Sequence, residues 1–141
     1  MDYIMNGVYT TALLYLVYTD LRERRIPNRI VIPAAAIALL DSCLRGTWRS
    51  DLPSGVLAAT LFLIPIFIYG PEKSGAGDVK LALFIGIWVG YPAIVGAILV
   101  AALSISILAL VTWICGRFDR KATVPMAPFL AIGTITMLIL Y

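Results

Sequence analysis

The chain has 141 residues, of which 61% are hydrophobic and only 13% charged. A soluble domain of this size would be about a quarter charged, so the composition describes an all-α integral membrane protein. At roughly 20 residues per span, it holds about five or six helices and no separate soluble domain, so residues 1–141 read as one transmembrane domain. The net charge of +3 sits in short loops, where it reports orientation rather than nucleic-acid binding. The chain has no histidine, which excludes Ser-His and Cys-His catalysis and histidine-based metal sites. Cys43 and Cys115 lack CxxC spacing and fall on opposite sides of the topology below, so neither a disulfide nor a zinc site is expected. No metal and no cofactor are predicted.

The first helix is predicted from about Tyr3 to Thr19, stopping at Asp20; its start lacks a basic region, so it reads as a retained helix rather than a signal peptide. A short loop follows with Arg22, Arg24, Arg25 and Arg29, and Pro27 pushes Ile26 out of the helical region. Helix two starts near Asn28 to Ile30 and runs to about Leu44, a loop is expected from Arg45 to Ser54, and helix three covers about Gly55 to Tyr69. After the loop from Gly70 to Gly77, helix four runs from Asp78 to about Val89. Gly90-Tyr91-Pro92 breaks a long apolar run, which as one helix would greatly overshoot a hydrocarbon layer of roughly 30 Å. Helix five then covers about Ala93 to Cys115, and Val124-Pro125-Met126-Ala127-Pro128 leads into helix six, ending at Tyr141.

Six spans with the first loop inside put Arg22, Arg24, Arg25, Arg29, Lys73, Lys80, Arg117, Arg120 and Lys121 on the cytosolic side, against Arg45 and Arg49 outside. Nine cations against two is a strong inside bias and places both termini outside. Tyr18, Tyr69 and Trp113 then fall near inner ends, and Tyr3, Trp48, Trp88, Tyr91 and Tyr141 near outer ends, as an interfacial belt would. Ala82, Gly86 and Gly90, then Ala97 and Ala101, recur four apart and predict close helix packing.

The stretch Gly75-Ala76-Gly77-Asp78-Val79-Lys80-Leu81 sets an acid and a base at the mouth of an apolar run, straight after glycines that permit a sharp turn or a close approach. A charge beside hydrocarbon is costly and is usually put to use. The topology answers Asp78 with Asp20: one helix ends inward at Asp20 and another starts outward at Asp78, so both carboxylates share a depth on the cytosolic side. Asp41 and Asp51 fall on the other side, while Glu23, Glu72 and Asp119 sit in charged loops with a solvated role. Two facing aspartates share a proton and suit acid–base hydrolysis, one taking a proton from water while the other donates. The residues alone leave a second reading open, in which Asp20 ends a helix beside arginines and Asp78 caps one. Lys80 either snorkels to lipid phosphates or holds a neighbouring carboxylate; Asn28 is a turn or cap residue that also fits the lining of a site, and Pro125 and Pro128 start and shape helix six.

Asp20 with Arg25-Ile26-Pro27-Asn28, the Gly75 to Leu81 stretch, and Pro125-Met126-Ala127-Pro128-Phe129-Leu130-Ala131-Ile132-Gly133 together resemble the prepilin peptidase (type IV leader peptidase) family of GxGD-type intramembrane aspartyl proteases, over essentially the whole chain. The resemblance implies a cell-membrane endopeptidase that cuts the short basic leader from prepilin-like or pseudopilin proteins, after a glycine and just before their apolar helix, in signal-peptide processing for pilus biogenesis or protein secretion. The catalytic aspartates match Asp20 and Asp78, with Gly75, Gly77, Lys80, Pro27, Asn28, Pro125 and Pro128 as substrate-binding or site-shaping positions. Long members also carry a CxxC-containing region that methylates the new amino terminus. This sequence has no such stretch and resembles the short, peptidase-only form. Prepilin-like substrates and membrane lipid are the expected partners. A competing reading is a small ion- or proton-coupled transporter using Asp20, Asp78 and Lys80, though the repeat and midplane polar residues it calls for are missing from the sequence.

Overall fold

The computed structural model describes residues 2–69, 75–116 and 124–140, and among these the chain forms only helices and turns. The described residues form six helices: α1 (Asp2–Glu23), α2 (Asn28–Arg45), α3 (Trp48–Tyr69), α4 (Ala76–Val89), α5 (Ala93–Ile114) and α6 (Ala127–Leu140). Contacts between sequence-distant residues fix their directions. Trp88 near the end of α4 donates to Asn6 near the start of α1, while Lys80 near the start of α4 donates to Asn28 at the start of α2. The end of α1, the start of α2 and the starts of α4 and α6 therefore share one end of the bundle. The end of α2 and the starts of α3 and α5 share the other.

Several boundaries move for local reasons. α1 continues through Asp20 to Glu23, because charged residues do not stop a helix; it ends where Arg24 turns left-handed (φ 51°) ahead of Pro27. The predicted loop from Arg45 to Ser54 shrinks to Gly46 and Thr47. Gly46 adopts φ 76° and donates to the Cys43 carbonyl, and Thr47 donates to that of Ser42, the double bond of a glycine-terminated helix. α3 therefore starts at Trp48, and Pro53 lies near its start, where losing one backbone bond does not end the helix. α4 starts at Ala76, ahead of Asp78. The break at Gly90-Tyr91-Pro92 stands as expected: Gly90 takes φ 70° with its amide on the Gly86 carbonyl, and α5 begins at Ala93.

Small residues let two pairs of helices approach closely. A methyl added to Gly86 would come within 2.6 Å of the Gly55 Cα, and one added to Gly133 within 2.1 Å of the Ala97 carbonyl oxygen. These contacts close α3 onto α4 and α5 onto α6. Between them Tyr9, Phe84 and Trp88 form an aromatic cluster with ring centroids 5.5–6.0 Å apart. Trp88 thus leaves the predicted interfacial belt: it is buried, because its turn of α4 faces α1 rather than the outside. Trp48, Tyr91, Tyr18 and Trp113 are exposed near helix ends.

By length and apolarity α3 (Trp48–Ile68) and α5 (Ala93–Ile114) are long enough to cross a membrane, and α6 is a shorter apolar helix. Cys43 and Cys115 are both free thiols. The segments 70–74 and 117–123 lie outside the described residues, and with them Glu72, Lys73, Arg117, Asp119, Arg120 and Lys121. So does Tyr141.

Candidate active site

Asp20 lies in the last turn of α1 and is buried, with 6% exposure. Its Oδ2 accepts a hydrogen bond of 3.0 Å from the amide of Ala127, the first residue of α6. The first amides of a helix have no carbonyl of their own turn to bond, so the end of α1 supplies the acceptor that the start of α6 lacks. Pro125 and Pro128 flank this point as the sequence predicted, and Pro128 brings no amide to it. Asp20 therefore does not simply finish a helix beside arginines. Arg22 bonds the Tyr18 hydroxyl, and the Arg24 amide bonds the Asp20 carbonyl.

Asp78 lies in the first turn of α4, half-buried, and its carboxyl interacts electrostatically with that of Asp20. It is not the residue that caps α4. Gly75 holds the cap position, no side chain bonds there, and the Asp78 amide itself donates to the Gly75 carbonyl (3.0 Å). The structure thus brings together the two acids that the sequence set 58 positions apart (78 − 20).

The segment before α2 grips the first turn of α4. A methyl on Gly77 would fall 2.8 Å from the Ile26 Cβ, so glycine is needed there for close approach. Gly75 is different: its backbone is extended (φ −70°, ψ 119°) and a methyl would meet Asp78 Oδ2 at an ordinary 3.4 Å. Lys80 Nζ donates to Asn28 Oδ1 at 2.8 Å, one turn deeper along α4. Lys80 holds a neutral amide here, not a carboxylate. Asn28 is the first residue of α2, with Pro27 at the cap position making no side-chain bond, so the cap role expected of Asn28 is also absent. Sequence reasoning missed two contributors, the Ala127 amide and Ile26. The first has no side-chain signal at all, and the second is visible only as an apolar residue before a proline.

At the opposite end, Asp41 and Asp51 are buried as well but serve their own helix ends. Asp41 pairs with Arg45 at 3.1 Å. Asp51 accepts from Ser42 Oγ (2.7 Å), Thr47 Oγ1 (2.5 Å) and Ser50 Oγ (3.2 Å). A groove of about 670 Å³ along α1, lined by Gly7, Thr11, Tyr15 and Ile30 among others, holds none of these acids.

Residues 7–114, which include both Asp20 and Asp78, match the type IV leader peptidase family. The chain belongs to that family. It is similar to proteins named prepilin leader peptidase/N-methyltransferase. One from Bacillus subtilis is 32% identical over 131 residues, covering 91% of this chain and 52% of the relative. One from Burkholderia pseudomallei is 32% identical over 129 residues (86% and 41%), and one from Pectobacterium carotovorum 30% identical over 135 residues (91% and 48%). The chain spans about half the length of these relatives, or less. No solved structure matches it. Relatives of this family carry peptidase names, which gives the transporter alternative no support.

Proposed function

We propose that this chain is a membrane-embedded aspartyl endopeptidase that removes the short basic leader of prepilin-like or pseudopilin proteins at the cytosolic face, with Asp20 and Asp78 as its catalytic pair. One observation carries the reading: Asp20 and Asp78, brought to that end of the bundle by α1 and α4, act on each other while α6 and the segment before α2 hold their surroundings. A carboxyl pair of this kind needs no histidine to move protons to and from a scissile amide. Gly77 lets α4 close on Ile26, and the Lys80–Asn28 bond keeps α4 in register with α2. Pro27 directs the chain into α2, and Pro125 and Pro128 bring the start of α6 onto Asp20. Gly75 forms the extended entry to α4, beside the Asp78 carboxyl.

The apolar helices support a multi-pass protein of the cell membrane, and the nine-to-two distribution of cations supports six spans with both termini outside. The reading concerns the peptidase activity alone. The purified protein, incubated with a panel of prepilin-like substrates, should yield new amino termini that begin directly after a glycine and before the apolar helix. Absence of cleavage across pilin, pseudopilin and archaeal flagellin-like substrates would overturn it.

A further inference from the structure

We infer that the aspartate pair is built asymmetrically, with Asp20 as the base that takes a proton from water and Asp78 as the acid that donates to the scissile amide. The inference rests on the aspartyl-protease reading and goes further, because family membership does not distinguish the two carboxyls. The structure does. Asp20 Oδ2 is occupied by the Ala127 amide, at the end of a 14-residue helix whose amides point toward it. Such a donor, together with the partial positive charge of a helix start, favours the charged form of a carboxyl. Asp78 accepts no hydrogen bond from the described residues, and the charge that acts on it is that of Asp20. Lys80, the nearest cation on α4, is turned to Asn28 of α2. The Ala127 amide from α6 and the Asp78 carboxyl from α4 both act on Asp20.

The chemistry then runs in one direction. Asp20 removes a proton from water as the water oxygen bonds to the scissile carbonyl carbon, and the carbonyl oxygen takes the proton of Asp78. In the second half Asp20 returns its proton to the leaving nitrogen as the carbon–nitrogen bond breaks, and Asp78 recovers a proton from the former carbonyl oxygen. One water is consumed and both carboxyls end as they began. The Ala127 amide holds one Asp20 oxygen throughout, leaving the other to face the water. Ala127 is a positioning residue, acting through its backbone alone, so its side chain is free to vary only as far as its buried setting allows.

The test deletes that one N–H. Lactic acid incorporated at position 127 replaces the Met126–Ala127 amide with an ester and keeps the side chain. Ala127→Pro makes the same deletion by ordinary mutagenesis at a first helical position, where proline is accepted. An ester at position 130 is the control, since its lost donor bonds the Met126 carbonyl (3.2 Å) and not Asp20. With either change at 127, kcat on a prepilin should fall about tenfold or more with KM little changed. The acid limb of the kcat profile should move, the alkaline limb staying in place. The control should leave the acid limb where it was. An acid limb that stays put in both variants at 127, moves equally in the control, or gives way to a moving alkaline limb overturns the division of roles. If Asp20→Asn and Asp78→Asn both keep cleaving, the aspartyl reading itself has failed; if both are inactive while the limb does not move, only the asymmetry has.

Discussion

The two ends of the bundle each hold a pair of aspartates, and the pairs are made differently. At the α2–α3 end, Asp51 collects three hydroxyl donors from its own turn and from α2, and Asp41 an arginine one turn away on its own helix. Those partners lie within ten residues in sequence, and Asp41 is also acted on by Tyr9 of α1. At the α1–α4 end, Asp20 receives one amide from 107 residues away and Asp78 none from the described residues, so the two acids are left facing each other. A buried carboxylate whose acceptors are filled locally closes a turn. One that is left short of donors beside a second acid keeps its lone pairs and protons for something else. Asp20 and Asp41 are equally buried (6% and 5%), so between these two it is hydrogen-bond supply, not depth, that differs.

The largest expected effect breaks the α1–α4 pair. Asp20→Asn and Asp78→Asn should each lower prepilin cleavage on the order of 10³-fold or more at matched membrane abundance, and the double variant should be little worse than either, because members of one catalytic unit are strongly non-additive. Near-normal cleavage by Asp78→Asn would falsify the comparison at its base. A smaller effect sharpens it. Lys80→Met and Asn28→Ala each remove the 2.8 Å strut between α4 and α2. Each should cost about tenfold in kcat through misplacement of Asp78, and combining them should add little beyond the larger single loss. Losses that simply add would show that the two residues act apart.

The smallest effect on cleavage comes from the other end. Asp51→Asn should cost about 1–3 kcal/mol of stability by disrupting a buried set of hydroxyl bonds. Asp41→Asn should cost no more than about 1 kcal/mol, since its partner Arg45 is partly in solvent (36% exposed). Both should cleave within about twofold of the unaltered protein per folded molecule. Thermal melting and cleavage rate, measured on one preparation, separate the two quantities; a dead but fully stable Asp41→Asn protein would place chemistry at the wrong end.

The sequence by itself determined the helices and the ends on which the acids sit. Composition called for an all-α chain, the glycine–proline break at Gly90 split one apolar run into α4 and α5, and the alternation of helices put Asp20 with Asp78 and kept Asp41 and Asp51 away. Helical hydrogen bonds join residues four apart, so a local pattern carries that much. Where the turn signal was itself subtle, as at Gly46-Thr47, the reading took a tight glycine turn for a ten-residue loop. The tertiary structure alone decided which faces meet. These helices are apolar on nearly every side, so no polar stripe marks the inward face, and their rotation is set by where small residues let backbones touch: Gly55 on Gly86, Gly77 on Ile26, Gly133 on Ala97. That rotation turned Trp88 inward, gave Lys80 to Asn28, and laid the start of α6 on Asp20, whose partner is a backbone amide that any residue but proline would present.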